Sequence, residues 1–454
     1  MVDVLTPDIC VIGAGPGGLA VASAAAAFGV PVVLIEQNKM GGTSLAAALP
    51  SKALLAAADR GADFAGAQAD VARTVAAAAL RDSAERFAGL GVRVIKGHAA
   101  FKDCRTVTVG DTEIRARRFV IATGSLPAVP PIPGLEQSPY FTGETIYTLG
   151  ELPKHLIVIG AGPHGLKLAQ AFRRLGSEVT VLDAAQPLSG SDPEAAAIVV
   201  TALERDGVAI RGGAKITKAD CAVGAVTVTL DGGETIAGTH LLVAAGRKAN
   251  TGGLNLEAAG VAFDGKGIAV NKKLKTKNGC VYAIGDVAAG QPRSAQAASY
   301  QAGLVIRHAL FRQSVRADND AAPSLIGTDP ELAQTGFSEA EARKRGLKIR
   351  IVRWPYHDND RAQAERETHG HIKVITTAKG KIVGVTIVGA QAGELISMWT
   401  LAIAQGLNIR AMSDVVMPYP TLSEIGKRAA VDYFMPRLTS PWLRRIIAWL
   451  RVFG

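Results

Sequence analysis

The chain carries one structural unit twice. Residues 8–13, Asp-Ile-Cys-Val-Ile-Gly, form a short apolar strand that runs into Gly13-Ala14-Gly15-Pro16-Gly17-Gly18. An Ala-rich stretch follows to about Phe28, then a second apolar strand, Val32–Ile35, ending at Glu36. The order strand, glycine turn, helix, strand, acid constrains the fold more than any other feature. The glycines of the turn, Gly13, Gly15 and Gly18, let the backbone approach a pyrophosphate at a helix N-terminus, and an acid about 20 residues on accepts from a ribose hydroxyl. The second copy has the strand Leu156–Ile159, the turn Gly160-Ala161-Gly162-Pro163-His164-Gly165, a helix to about Leu175, and the strand Val179–Leu182 ending at Asp183. Two such units predict an α/β chain with two Rossmann-like domains and two dinucleotides, one for each half of an electron transfer.

A third element, Thr276–Val287, ends in Tyr282-Ala283-Ile284-Gly285-Asp286, a strand able to return to the first domain and present Asp286 to a polyol. Ala122-Thr123-Gly124 and Ala244-Ala245-Gly246-Arg247 read as crossovers out of the two nucleotide domains. After about Ala321 alternating strand patterns such as Lys381–Ile387 predict a separate α+β domain.

The 454 residues suit about three domains. With 48% hydrophobic and 20% charged residues, global disorder is excluded. The net charge is +10, and half of it lies in residues 426–454, where six cations face one anion. No basic stripe runs through a folded domain, so nucleic acid is not an expected partner. The four cysteines, Cys10, Cys104, Cys221 and Cys280, are scattered, which argues against a disulfide scaffold and against a metal site. The first strand begins almost at Met1, leaving no room for a signal peptide, and no apolar run reaches the roughly 18 residues of a membrane span. A cytoplasmic location is the expectation.

These motifs, in this order, resemble the FAD-dependent pyridine nucleotide–disulfide oxidoreductases, the family of dihydrolipoamide dehydrogenase, mercuric reductase and the soluble transhydrogenase. The resemblance spans residues 7–430. It includes Gly41-Gly42-Thr43, Pro50-Ser51-Lys52, both glycine turns, Gly285-Asp286, Thr328-Asp329-Pro330-Glu331, Asn359-Asp360-Arg361-Ala362 and Pro420-Thr421-Leu422-Ser423-Glu424. It implies an FAD-binding domain (1–150), an NAD(P)-binding domain (151–270), a return to the FAD domain (271–320) and an α+β dimerisation domain (321–436) of a homodimer. It implies that Gly13, Gly15 and Gly18 hold the FAD pyrophosphate, Glu36 the adenosine ribose and Asp286 the ribityl chain, with Lys52 near flavin N5. Gly42, Thr43, Thr123, Gly124, Gly246 and Gly285 are implied as further cofactor contacts. Gly160, Gly162 and Gly165 would hold the nicotinamide dinucleotide and Asp183 its ribose. An acid there accepts from a free 2′-hydroxyl and repels a 2′-phosphate, so NADH is expected over NADPH.

Three departures matter. The segment that in the family carries a redox-active cysteine pair reads Ser44-Leu45-Ala46-Ala47-Ala48-Leu49-Pro50, one residue shorter than the family pattern. Ser44 stands at the first cysteine position and Ala48 or Leu49 at the second. Neither a disulfide nor a thiolate–flavin pair can form from these side chains. Tyr419 takes the place of the dimer-borne His, while Glu424 remains; Tyr419 suits interface packing or a substrate contact equally. Lys167 replaces the acid that pairs with the flavin lysine, and Pro163 replaces an aromatic gate. Lys167 either joins Lys52 at the flavin or turns outward.

The expected function is therefore hydride transfer from NAD(P)H to FAD and on to a non-thiol acceptor such as a quinone, with Lys52, Tyr419 and Glu424 as catalytic candidates. Transhydrogenation between nicotinamides and a non-catalytic FAD-binding role are the alternatives. Residues 437–454 read as a basic amphipathic helix starting at Ser440-Pro441. Trp442, Leu443, Ile446, Ile447, Trp449, Leu450 and Phe453 share one face, and Arg444, Arg445 and Arg451 the other. Such a helix suits peripheral contact with a membrane, or docking on the partner subunit.

Overall fold

The structure is a computed structural model describing residues 3–438 and 441–452. It divides into two compact units. One gathers residues up to 185 and 211–319; the other gathers 186–210 and the residues from 320 onward.

The first unit is organised around two five-stranded sheets, with four smaller ones beside them. One has the strand order Val281–Ala283, Arg118–Ile121, Ile9–Ile12, Val32–Glu36, Val92–Lys96, all parallel. Ile9–Ile12 is buried along its whole length, as a central parallel strand covered on both faces must be. Helix α1 (Pro16–Ala27) leaves the glycine turn with Pro at its first position, where the missing N–H costs nothing. After the Gly41-Gly42 loop and a wide turn at Ser44–Ala48 come α2 (Leu49–Asp59) and α3 (Phe64–Ala79). The second sheet repeats the plan around the parallel strands Phe141–Thr142, His240–Val243, His155–Ile159 and Glu178–Asp183, with α4 (Pro163–Arg174) after its glycine turn.

The second unit takes α5 (Pro193–Arg205) from the middle of the chain. Its sheet is antiparallel, in the order Ser324–Ile326, Glu331–Gly336, Ile382–Gly389, His371–Thr377, Ile349–Pro355. The strand pattern read over Lys381–Ile387 forms the strand Ile382–Gly389, which is buried throughout because it is central and both faces are covered. α6 (Ala392–Ala404), with Ile396 and Trp399 buried, and α5 both pack on it. Lys373, on the neighbouring strand, lies under α5 with a side chain 2% exposed. Its Nζ donates to Asp192 Oδ2 at 2.8 Å, Glu194 Oε1 at 3.0 Å and Glu339 Oε2 at 2.9 Å. A buried ammonium is tolerated here because three carboxylates meet it.

Three short helices come last among the described residues, α7 (Glu424–Asp432), a single turn at Met435–Leu438 and α8 (Pro441–Leu450). Ser440, the expected N-cap of α8, and Phe453, expected on its apolar face, lie outside the described residues. Among the described residues no helix is long and apolar enough to cross a membrane.

Candidate active site

The two glycine turns have the same geometry. Gly13 sits at φ +101°, where a Cβ would lie 2.6 Å from the Ala122 carbonyl oxygen; Gly160 sits at φ +114°, where a Cβ would lie 2.5 Å from that of Ala244. Only glycine fits either place. A Cβ on Gly18 would come within 1.9 Å of the Gly13 carbonyl oxygen, and one on Gly165 within 2.0 Å of that of Gly160, so each helix start lies directly on its turn. Gly15 and Gly162 differ from these. A Cβ there meets nothing within 4 Å, which leaves open space beside the helix N-terminus, where a pyrophosphate belongs.

The acids repeat as well. Glu36 accepts the Ala14 N–H at 2.7 Å and the Asn38 N–H at 2.8 Å. Asp183 accepts the Ala161 N–H at 2.7 Å and the Ala185 N–H at 2.8 Å. Each carboxylate is thereby fixed against its turn, with lone pairs left for a ribose. Gly42, at φ +53°, brings the loop before Ser44 to Gly15: a Cβ on it would lie 3.0 Å from Gly15 Cα. Gly42 and Thr43 thus border the first cradle. The donor set, the glycine spacing and the free space fit a dinucleotide in each cradle.

Four residues link the crossovers. Arg247 donates from Nε to Ser125 Oγ at 2.7 Å and from Nη2 to Glu144 Oε1 at 2.7 Å. Ser125 Oγ in turn donates to Asp286 Oδ2 at 2.6 Å. Thr123, whose hydroxyl donates to the Asn250 carbonyl at 2.7 Å, Gly124, Gly246 and Gly285 are the backbone around this chain of contacts. Sequence reading names Asp286 as a site residue and Arg247 only as part of a crossover, and misses Ser125 and Glu144. Their signal was position alone: Ser125 and Arg247 each directly follow a crossover glycine.

The Ser44–Ala48 segment is a single wide helical turn closed by the Leu49 N–H on the Ser44 carbonyl. Such turns are rare and often sit at functional sites. Tyr147 backs it: its hydroxyl donates to the Ala47 carbonyl at 3.2 Å, and burial pushes that hydroxyl up. All four cysteines are free and none lies in this segment; Cys10 is buried in the first sheet. Lys52 is one turn further along α2, beside a cleft of about 440 Å3 floored by Leu49, Ala53 and Ala56 and rimmed by Arg60, Asp70 and Arg73.

α2 packs on α4 and brings Lys52 into reach of Lys167. Burial, then the charge of Lys52, lowers Lys167 to about 8. His164, one turn earlier, is pushed down to about 4 by burial first and then by Lys167, so it is neutral at pH 7. Its Nε2 lies 3.3 Å from the Gly143 carbonyl oxygen. Lys167 is half-buried on α4, within the field of Lys52.

Tyr419 and Glu424 belong to the second unit. Tyr419 is 70% exposed and its hydroxyl donates to Asp360 Oδ2 at 2.9 Å; that carboxylate raises the Tyr419 hydroxyl. Glu424 opens α7 and is half-buried. Among the described residues no group of three or more His, Cys, Asp or Glu is placed to hold a metal ion.

Twin nucleotide cradles on parallel sheets and a separate antiparallel unit define the flavoprotein reductase class. The chain belongs to the pyridine nucleotide-disulphide oxidoreductase family, which it matches over residues 7–302, with that family's dimerisation domain over 322–430. Members bind FAD and NAD(P), and the dimerisation domain supports a homodimer. The chain is 36% identical to a dihydrolipoyl dehydrogenase of Thermus scotoductus over 454 residues, covering 92% of this chain and 95% of the relative. It is 34% identical to a mercuric reductase of Lysinibacillus sphaericus over 451 residues, covering 94% and 82%. Among solved structures, the HOCl-induced flavoprotein disulfide reductase RclA from Escherichia coli, as its Cu(II) complex, superposes with a TM-score of 0.87 at 28% identity, covering 94% of this chain and 99% of RclA. LpdA from Mycobacterium tuberculosis gives 0.86 at 25% identity, covering 96% and 100%.

Proposed function

We propose that this flavoprotein passes hydride from NADH to FAD and then reduces a non-thiol acceptor, a quinone being the acceptor class that fits best. The observation that carries the reading is the Ser44–Ala48 turn: two complete nucleotide cradles flank a segment with no sulfur to receive electrons. FAD, when bound, supplies the two-electron store between donor and acceptor. In this reading Gly13, Gly15, Gly18 and Glu36 hold its adenosine half, and Gly42, Thr43, Thr123, Gly124 and Gly285 complete the cradle. The Arg247–Ser125 pair orients Asp286 toward the ribityl chain, with Gly246 at the crossover. Gly160, Gly162, Gly165 and Asp183 hold NADH, Asp183 accepting from the 2′-hydroxyl.

Lys52 tunes the flavin from α2, and the small side chains of Ser44–Ala48 leave room for a flat acceptor. Tyr419 and Glu424 serve the acceptor side in the homodimer. A lipid-soluble quinone resides in the bilayer, so the reading also implies peripheral membrane contact through 437–454.

The test is an anaerobic titration of the FAD-loaded enzyme with NADH, followed by mixing with quinones, lipoamide, a disulfide reagent or Hg(II). Bleaching at about one equivalent per flavin without a long-wavelength thiolate band, then reoxidation by quinone alone, is the expected result. Turnover with a disulfide would overturn the acceptor assignment. Faster turnover with an oxidised nicotinamide than with any quinone would instead favour transhydrogenation. No bleaching with either nicotinamide would leave a non-catalytic FAD-binding chain.

A further inference from the structure

We propose that α8 is an anchor for an anionic lipid surface, lying flat with Trp442 and Trp449 in the acyl boundary and Arg444, Arg445 and Arg451 on lipid phosphates.

Three observations carry this. First, the apolar face of α8 is exposed: Trp442 is 71% exposed, Trp449 62%, Leu450 53% and Ile447 47%. Leu443 and Ile446 are half-buried. At 100° per residue these six side chains fill an arc of about 160°. Second, the cations border both edges of that arc. Arg445 follows the edge formed by Trp449, and Arg451 with Arg444 follows the edge formed by Ile447. Headgroup phosphates occupy these two flanks when a helix lies in the interface plane. Third, no Asp or Glu occurs after Asp432, so nothing in the tail offsets the four arginines from Arg437 onward.

Length fixes the orientation. Ten residues of helix extend about 15 Å, half of a hydrocarbon core of about 30 Å, so α8 cannot span it. Charge also decides between occupants. Docking α8 on the same helix of a second copy would set like cations against each other with no acid in either helix to offset them, whereas an anionic bilayer complements both the charge and the apolar stripe.

The inference deepens the proposed function by naming the surface on which the acceptor is met, and rests on that reading for its purpose. Lipid binding is read without turnover, so each fails separately. The FAD-loaded full-length enzyme is sedimented with phosphatidylcholine vesicles with and without phosphatidylglycerol. Cosedimentation only with phosphatidylglycerol, reversed by salt and accompanied by a blue shift of Trp fluorescence, is expected. Arg444→Glu with Arg445→Glu and Arg451→Glu should weaken partition at least about tenfold, given the contribution of each cation near a charged surface. Trp442→Ser with Trp449→Ser should weaken it too, with bound FAD and the dimer unchanged. Absence of binding to phosphatidylglycerol vesicles overturns the proposal, as does undiminished binding by the charge-reversed variant. Dissociation of the dimer in the Trp variant also overturns it, and would place the apolar face on the partner subunit.

Discussion

Burial and the charge of Lys52 on α2 together bring Lys167 on α4 down to about 8, so two lysines share a place where one charge disfavours the other. The sign of the linkage follows. A lysine at about 8 in the folded chain and 10.5 unfolded takes up more protons when unfolded, so its stability penalty is complete below pH 8 and fades as pH rises to 10.5. Lys167→Met should therefore stabilise the protein near pH 7 by about 1–3 kcal/mol and by little above pH 10.5. Denaturant melts at the two extremes check this; equal gains at both would assign the effect to packing.

The same pair bears on the flavin. Lys167→Glu replaces a repelling neighbour of Lys52 with a pairing one and removes positive charge from the proposed flavin site. The two-electron midpoint potential of bound FAD should fall by at least about 30 mV, a tenfold step for such a couple. An unchanged potential would place Lys167 outside the flavin's field.

The twin turns permit a paired experiment. Gly18→Ala drives a methyl toward the Gly13 carbonyl oxygen and should yield a colourless protein without FAD. Gly165→Ala makes the same clash at Gly160 and should leave a yellow protein that dithionite bleaches and NADH does not. A Gly165→Ala enzyme reduced normally by NADH would remove the second turn from the donor site.

In the proposed reading, nicotinamide preference rests on Asp183. The ratio of kcat/KM for NADH over NADPH should exceed one, and Asp183→Ser should lower it by about tenfold, since removing the acid ends repulsion of a 2′-phosphate. Steady-state kinetics with both donors decides it. A ratio that does not move on substitution would leave Asp183 as a turn-bracing residue only.

Lys373 holds the second unit together. Lys373→Met strands Asp192, itself 2% exposed, as a buried unpaired charge and should cost about 3–5 kcal/mol. Adding Asp192→Asn should recover part of the loss. Equal stability of single and double variants would show that the charge of Asp192 is not what the lysine offsets.

What the sequence made legible and what it hid divide along a physical line. The cradles could be read because Gly13, Gly18, Gly160 and Gly165 answer to clashes with backbone a few residues away or at an adjacent strand end, and such sterics admit one residue type. The change at Ser44–Ala48 was equally plain, because a dithiol relay needs sulfur. The Arg247–Ser125–Asp286 chain was hidden, since it joins segments more than 100 residues apart with no periodic pattern to mark them. The packing of α2 against α4, which puts Lys167 within the field of Lys52, depends on tertiary contacts that a lone lysine does not announce. The full burial of the strand Ile382–Gly389 was hidden for a related reason: part of its cover comes from α5, nearly 180 residues earlier.

That cover has a consequence for how such a protein is cut or recombined. A break at residue 319 follows the linear boundary, yet the N-terminal piece would carry away α5 with Asp192 and Glu194, leaving Lys373 with Glu339 alone and one face of the sheet without its helix. The C-terminal piece is therefore not a portable module. Any exchange of this region between relatives has to transplant 186–210 along with it, two separate insertions made as one, or the graft inherits an ammonium that keeps only Glu339 of its three carboxylates.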